Sequence, residues 1–400
     1  MALAPTPLQF HLAAGVLVGA ALALNTNGDT ETVLVLDQAE QSFVFENIDS
    51  EPVPSLLRGF SAPVILDIAE DDARLAFRMA HDSDPFNRWD ASQRFMERVV
   101  LALAADHAAS RPMQVPQAFG HAFRALLVSE VLDPAFVAET LTLPSEAYLL
   151  ERMQPADPAP LRAALIHLSR ELGQAMQADF LARYLDLEVE GEYRYHPADA
   201  GKRALRNLCL RYLSAWGGAT AIDLAAKQFE HAGNMTERYG ALAALVQSDS
   251  PRRVDALAAF HERYKDDALV LDKWFQLQAG AWRWSDAAPS TLDHVRALMD
   301  NPAFSLSNPN KVYSLLGTYF KANAAEFHRP DGAGYAFWAE QVVALDRSNP
   351  QVASRMARAL EGWRKFTPEI QTRIRAALEK VAGEQGLSPD LAEIVGKALG

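Results

Sequence analysis

Gln351 and Arg355 stand four residues apart, directly after Asn349-Pro350. On a helix that spacing puts both side chains on one face, close to the positive N-terminal end. An Arg fork beside an amide can hold a peptide carboxylate or carbonyl. The same residue types also make an ordinary solvated face. A second polar cluster, Ser305-Leu-Ser307-Asn308-Pro309-Asn310-Lys311, surrounds another helix start. These two clusters rise above the background of the chain.

Bond-breaking chemistry finds less support. A zincin-type site needs two His at i, i+4 with a Glu beside the first. Ten His are present, and the closest two, His107 and His121, are fourteen positions apart. His261-Glu262 runs on into Arg263-Tyr264-Lys265 without a second His, as a solvated helix turn would. Gly201-Lys202 and Gly396-Lys397 lack the upstream glycine of a phosphate-binding loop. Gly59-Phe-Ser61-Ala lacks the second glycine of a nucleophile elbow. Cys209 sits in NLCLRYL on an apolar stripe, which reads as a packed thiol. Asp71-Asp72 and Asp266-Asp267 read as helix caps or solvated charges.

The elements that would position these residues are mainly helical. A capping-type residue followed by Pro occurs at Asp133-Pro134, Asp157-Pro158, Ser250-Pro251, Asn301-Pro302, Asn308-Pro309, Asn349-Pro350, Thr367-Pro368 and Ser388-Pro389. The side chain at N-cap takes an orphan backbone N–H, and Pro at N1 loses nothing because its missing N–H would be unpaired there. Each pair therefore predicts a helix start. Apolar stripes at helical spacing fill the intervals: Leu75 and Met79; Phe95, Val99 and Leu103; Leu205, Leu208 and Tyr212; Leu242, Leu245 and Val246; Ile370, Ile374 and Leu378. Starts at 301, 349 and 388 fall near the ~40–47-residue period of HEAT or armadillo pairs, without a side-chain repeat in register. The expected fold is mainly α: an irregular HEAT/armadillo-like α-superhelix over residues 69–400.

Residues 1–68 read differently. ETVLVL (31–36), QSFVFE (41–46) and PVILDI (63–68) carry β signals, with turn residues at Asn25 to Gly28 and a break at Asp37 to Glu40. Phe10 to Leu24 is apolar but too short for a typical ~20-residue membrane span, and reads as buried strand. No Lys or Arg precedes Arg58, so the positive region of a signal peptide is missing. A formal charge of −13 argues against nucleic acid as a partner. One cysteine excludes an internal disulfide framework and suits a reducing compartment, hence a cytoplasmic location.

Nine segments resemble, in order, the C-terminal half of the bacterial aminopeptidase N family, alanyl aminopeptidases of the gluzincin type. They include AEQSFVFENI (39–48), PVPSLLRGFSAPVILD (52–67), MAHDSDPFNRWDASQ (79–93), KRALRNLCLRYL (202–213), KQFEHAGNMTERYGALAAL (227–245), FSLSNPNKVYSLLG (304–317), FHRPDGAGYAFWAE (327–340) and NPQVASR (349–355). The resemblance implies a fragment. Residues 1–68 would be a small, truncated Ig-like β-sandwich, and residues 69–400 the helical superhelix. The family's zinc ligands, general-base Glu and substrate loop lie on earlier domains, so zinc would belong to the full-length parent and this chain would need no cofactor and be inactive alone. Its partners would be the catalytic domain of the same polypeptide and the peptide substrates. The helical domain would close the active-site cavity and restrict access to it. Gln351 and Arg355 match residues lining that cavity, and Asn308 and Asn310 belong to a motif near the same surface. Where the family often has a basic residue, this chain has Tyr313. The alternative is a free-standing α-solenoid scaffold whose concave face binds a protein or peptide.

Overall fold

The computed structural model of the chain describes residues 8–15, 22–25, 27–46, 48, 51–284 and 289–400. Near the N-terminus, β1 (Leu8–Gly15) lies between β2 (Glu31–Leu36) and β3 (Val53–Leu56), antiparallel to both. Leu12 faces Thr32 on one side and Leu56 on the other, and it is buried. Between β1 and β2, Gly28 takes a positive φ of 81° and donates to the carbonyl of Asn25, closing the expected turn.

Two strand expectations fail. QSFVFE forms no ladder, and PVILDI is irregular, with Ile65 almost fully exposed. Apolar and β-branched content makes a segment able to pair, but a ladder also needs a neighbouring edge to bond to. β3 forms instead at VPSL, which aligns with the second half of β1. Of the Phe10 to Leu24 stretch, residues up to Gly15 are strand, and residues 16–21 lie outside the described residues.

Helices occupy the rest. The stripes named from the sequence are buried: Phe95, Val99 and Leu103 are at most 2% exposed, as are Ile374 and Leu378. Asp133, Asp157, Asn308, Asn349 and Ser388 cap helices with their side chains, and a helix also begins at Thr367-Pro368. Ser250-Pro251 is shifted by one, because the helix starts at Arg252. Asn301-Pro302 is a turn: Asn301 Oδ1 accepts from Ala303 N at 2.9 Å and no helix follows. Asp71 caps α1 (Asp72–His81), and Asp267 caps the helix Ala268–Ala279, so these acidic pairs do capping work. Cys209 is fully buried, and burial pushes its thiol up to about 12.

Each helix packs on near neighbours in sequence. α2 (Pro85–Ala108) lies on α1 and on the helix Pro158–Ala175, and the helix Pro197–Trp216 lies on Pro158–Ala175, Gln177–Asp186 and Met235–Val246. A straight row of such pairs would keep its ends apart. Here it curls back: Ala156 N donates to the Lys365 carbonyl at 2.8 Å, Thr367 N donates to the Ala156 carbonyl at 3.2 Å, and Arg162 donates to Asn323 Oδ1 at 3.0 Å. These contacts join segments more than 160 residues apart, so the helical array curls back on itself.

His328 belongs to the late core. It is buried, its Nδ1 lies 2.9 Å from the Tyr335 hydroxyl, and its ring lies 4.4 Å from that of Phe366. Burial, assisted by Lys365, lowers its pKa to about 3, so it is neutral in the fold. The unfolded chain binds this proton below its ordinary value near 6.5. Stability from this group is therefore complete above pH 6.5 and is lost as pH falls toward 3, by roughly 1.4 kcal/mol per pH unit. Urea unfolding at pH 7 and pH 5.5 is expected to show this loss, and His328→Gln is expected to reduce the difference by about 1 kcal/mol. An unchanged difference in the variant assigns the acid sensitivity to other groups.

Candidate functional site

The helix Pro350–Ala357 begins at the Asn349 cap, where the side chain accepts from Val352 N at 3.2 Å. Val352, Ala353, Met356 and Ala357 are buried and fix one face against the core. Gln351 and Arg355 are left on the other, exposed face. The α-helical period alone dictates that division.

The neighbouring segment is built around Asn308. Its Oδ1 accepts from Asn310 N at 3.0 Å and starts the short helix Pro309–Val312. Lys311 is buried and donates to Asp272 Oδ1 at 2.7 Å and to the Ala268 carbonyl at 2.6 Å, pinning that helix to Ala268–Ala279. The chain then widens into a π-helical turn, Tyr313–Gly317, before continuing as Thr318–Ala322. Such insertions re-aim side chains and are frequent at functional sites.

The two segments meet. Arg355 Nη1 donates to the Tyr313 hydroxyl at 3.1 Å. Lys321 Nζ donates to the Arg355 carbonyl at 2.9 Å. Partial burial, together with Arg358 and Arg355, holds the Lys321 ammonium below its usual range. Arg358 itself is paired with Glu361 at 3.0 Å. The result is a positive surface where Arg355 and Lys321 offer charged donors and Gln351 an amide. It can hold a carboxylate or a peptide carbonyl.

Asn308 and Asn310 sit at the start of the same segment, both exposed. Asn308 is committed to its cap, and the Asn310 carbonyl accepts from Ser314 Oγ at 2.7 Å. Neither hydrogen-bonds to Gln351 or Arg355 among the described residues. Two participants were not singled out by the local sequence as donors. Tyr313 is forty-two residues from Arg355, and Lys321 is a lone cation in the apolar run TYFKA, the only local hint of its role.

Among the described residues no three His, Cys, Asp or Glu side chains converge on a point. Among the same residues no helix is long and apolar enough to cross a membrane.

The family described as "Domain of unknown function (DUF3458_C) ARM repeats" matches residues 72–400. This chain belongs to that family. A companion DUF3458 domain of Ig-like fold matches residues 4–69, and the mainly helical fold behind a small β portion agrees with both. The DUF3458_C chain resembles the C-terminal part of bacterial aminopeptidase N. It is 39% identical over 368 residues to aminopeptidase N of Escherichia coli K12, covering 92% of this chain and 42% of that protein. It is 39% identical over 377 residues to aminopeptidase N of Caulobacter vibrioides, with 93% and 42% covered. The crystal structure of Legionella pneumophila aminopeptidase A in complex with aspartic acid superposes with a TM-score of 0.82 at 28% identity, covering 98% of this chain and 45% of that one. The chain thus spans less than half the length of these relatives.

Proposed function

We propose that this chain is the non-catalytic C-terminal region of a zinc aminopeptidase that removes N-terminal amino acids from peptides in the cytoplasm. The observation that carries the reading is a match at 39% identity that runs through 92% of the chain yet only 42% of the relative. Zinc and the bond-breaking groups belong, on this reading, to the catalytic domain of the same polypeptide. Residues 1–68 form a partial sandwich domain and residues 69–400 the superhelix. The superhelix closes the active-site cavity, which limits substrates to those that can enter and excludes water around the bound peptide.

Two features support docking against another domain. Phe60 and Ile65, on the connection between sheet and helices, are 70% and 98% exposed, as free apolar surface awaiting a cover would be. The helical array curls back on itself through the Ala156–Lys365 and Arg162–Asn323 contacts. On this reading Arg355, Gln351 and Lys321 meet the part of the peptide beyond the scissile bond, with Asn308 and Asn310 beside them.

The test is Arg355→Ala in the full-length enzyme. We expect kcat/KM for a tetrapeptide to fall by about tenfold, the loss of one exposed charged contact, while a small chromogenic alanyl amide is turned over normally. An equal loss on both substrates makes Arg355 structural and removes the positioning role.

A further inference from the structure

The helix Pro197–Trp216 carries a second cationic feature, far in sequence from the surface just described. Arg203 is 4% exposed, and its Nε is buried with no acceptor. Its guanidinium lies over the ring of Tyr193, whose centroid is 4.8 Å from Cζ. Among the described residues no carboxylate or carbonyl accepts from this guanidinium. The other buried arginines differ. Arg206, one turn away, donates to Glu237 at 3.0 Å, Glu188 at 3.2 Å and the Tyr184 carbonyl at 3.2 Å. Arg58, Arg78, Arg162 and Arg238 likewise have carboxylate or carbonyl partners.

A buried N–H without an acceptor, here Arg203 Nε, opposes folding unless something accepts its hydrogen bond. Arg203 lines a cavity of about 500 Å³, the scale of a small-molecule site. The cavity wall also holds Gln228, which is buried. Gln228 donates to Asn207 Oδ1 at 2.9 Å and to the Glu237 carbonyl at 2.8 Å, while its Oε1 has no donor. Arg203 and Gln228, each with one buried polar atom lacking a partner, therefore line one cavity. Three cations, Arg203, Arg206 and Lys227, line it with two carboxylates, Glu188 and Glu237. Across these five side chains one positive charge is left over, which matches a monoanion better than a phosphate dianion. The Tyr193 ring covers one face of the guanidinium, and its N–H edge remains the bonding direction.

We propose that this cavity binds a small monocarboxylate bearing an N–H donor, such as an acylated amino acid, with Arg203 taking the carboxylate and Gln228 Oε1 the N–H. This site goes beyond the aminopeptidase reading and stands or falls separately from it.

Calorimetric titration of the full-length protein with N-acetylglycine at fixed ionic strength tests it. N-acetylglycinamide removes the carboxylate, and inorganic phosphate tests for a general anion site. N-acetylglycine is expected to bind, with both comparison compounds at least about tenfold weaker. Arg203→Met keeps the side-chain stem and is expected to lose about tenfold in affinity while melting within about 2 °C of the parent, because it also removes a buried N–H without an acceptor. Lys227→Ala, at an exposed position, is expected to lose about threefold. Equal binding of phosphate or of the amide, or undiminished binding by Arg203→Met, overturns the proposal. If Arg203→Met does not fold, full affinity in Lys227→Ala overturns it.

Discussion

Glu70→Ala is expected to destabilise the chain by about 3 to 5 kcal/mol in urea unfolding, the range for breaking a buried ion pair on one side. Glu70 closes the junction between the sheet and the helices. Its side chain is 2% exposed and receives Arg78 Nη1 at 2.8 and 2.9 Å and Arg94 Nη1 at 2.7 Å. Without it, Arg78 remains 4% exposed, and its nearest carboxylates are Asp82 at 3.5 Å and Asp90 at 4.0 Å. Asp90 moderates the loss. Burial holds its carboxyl above the usual range, Arg78 and Arg94 pull it down, and Glu70 pushes it up. Removing Glu70 takes away that repulsion, so Asp90 ionises more readily and partly serves both arginines. The expected value therefore lies toward the lower end, and Glu70→Gln, which keeps the shape and an acceptor, should cost less than Glu70→Ala. A change below about 1 kcal/mol would mean that Glu70 is as dispensable as an exposed charge.

The same junction shows why local patterns carried some features and not others. Helix starts were legible because a cap is a contact within three residues. Asn349 bonds to Val352, Ser388 to Leu391 and Asp133 to Ala135. Even this signal is incomplete. Asn301 makes the same kind of bond to Ala303, yet no helix propagates into Phe304-Ser305-Leu306. A capped start needs an apolar stripe behind it, because propagation in a protein is sustained by packing. The strand expectations failed at QSFVFE and PVILDI because pairing is non-local. The candidate site divides the same way. The shared face of Gln351 and Arg355 follows from helical spacing, whereas the Tyr313 hydroxyl reaches Arg355 only because a π-helical turn and a distant helix pack together. Arg203 lies just before Leu205 on a regular helix, and nothing in KRALRNL distinguishes it from the paired Arg206. Only the partners reached through folding separate the two.

Gly334→Ala is expected to cost about 3 kcal/mol although it puts a better helix former into a helix, a change that ordinarily stabilises by up to ~1 kcal/mol. Gly334 is the second residue of the helix Ala333–Asp346. A Cβ there would lie 2.1 Å from the Phe327 carbonyl oxygen and 3.0 Å from its carbon. Both obstacles are backbone, so no rotamer change relieves them. Nor can Phe327 retreat easily. Its side chain is fully buried, with its ring 5.2 Å from Phe320, 5.6 Å from Tyr335 and 6.0 Å from Tyr319. Relief requires moving the helix or that aromatic cluster, and densely packed interiors resist both. Gly396 supplies the comparison. It lies exposed in the helix Pro389–Leu399, and a Cβ there would meet nothing within 4 Å. Gly396→Ala is therefore expected to stabilise by about 0.5 to 1 kcal/mol. Opposite signs for one chemical change, read from urea midpoints at equal m-values, would establish that close approach to the Phe327 carbonyl is what keeps glycine at 334. Matching signs would instead mean that the helix and the aromatic cluster can separate at little cost.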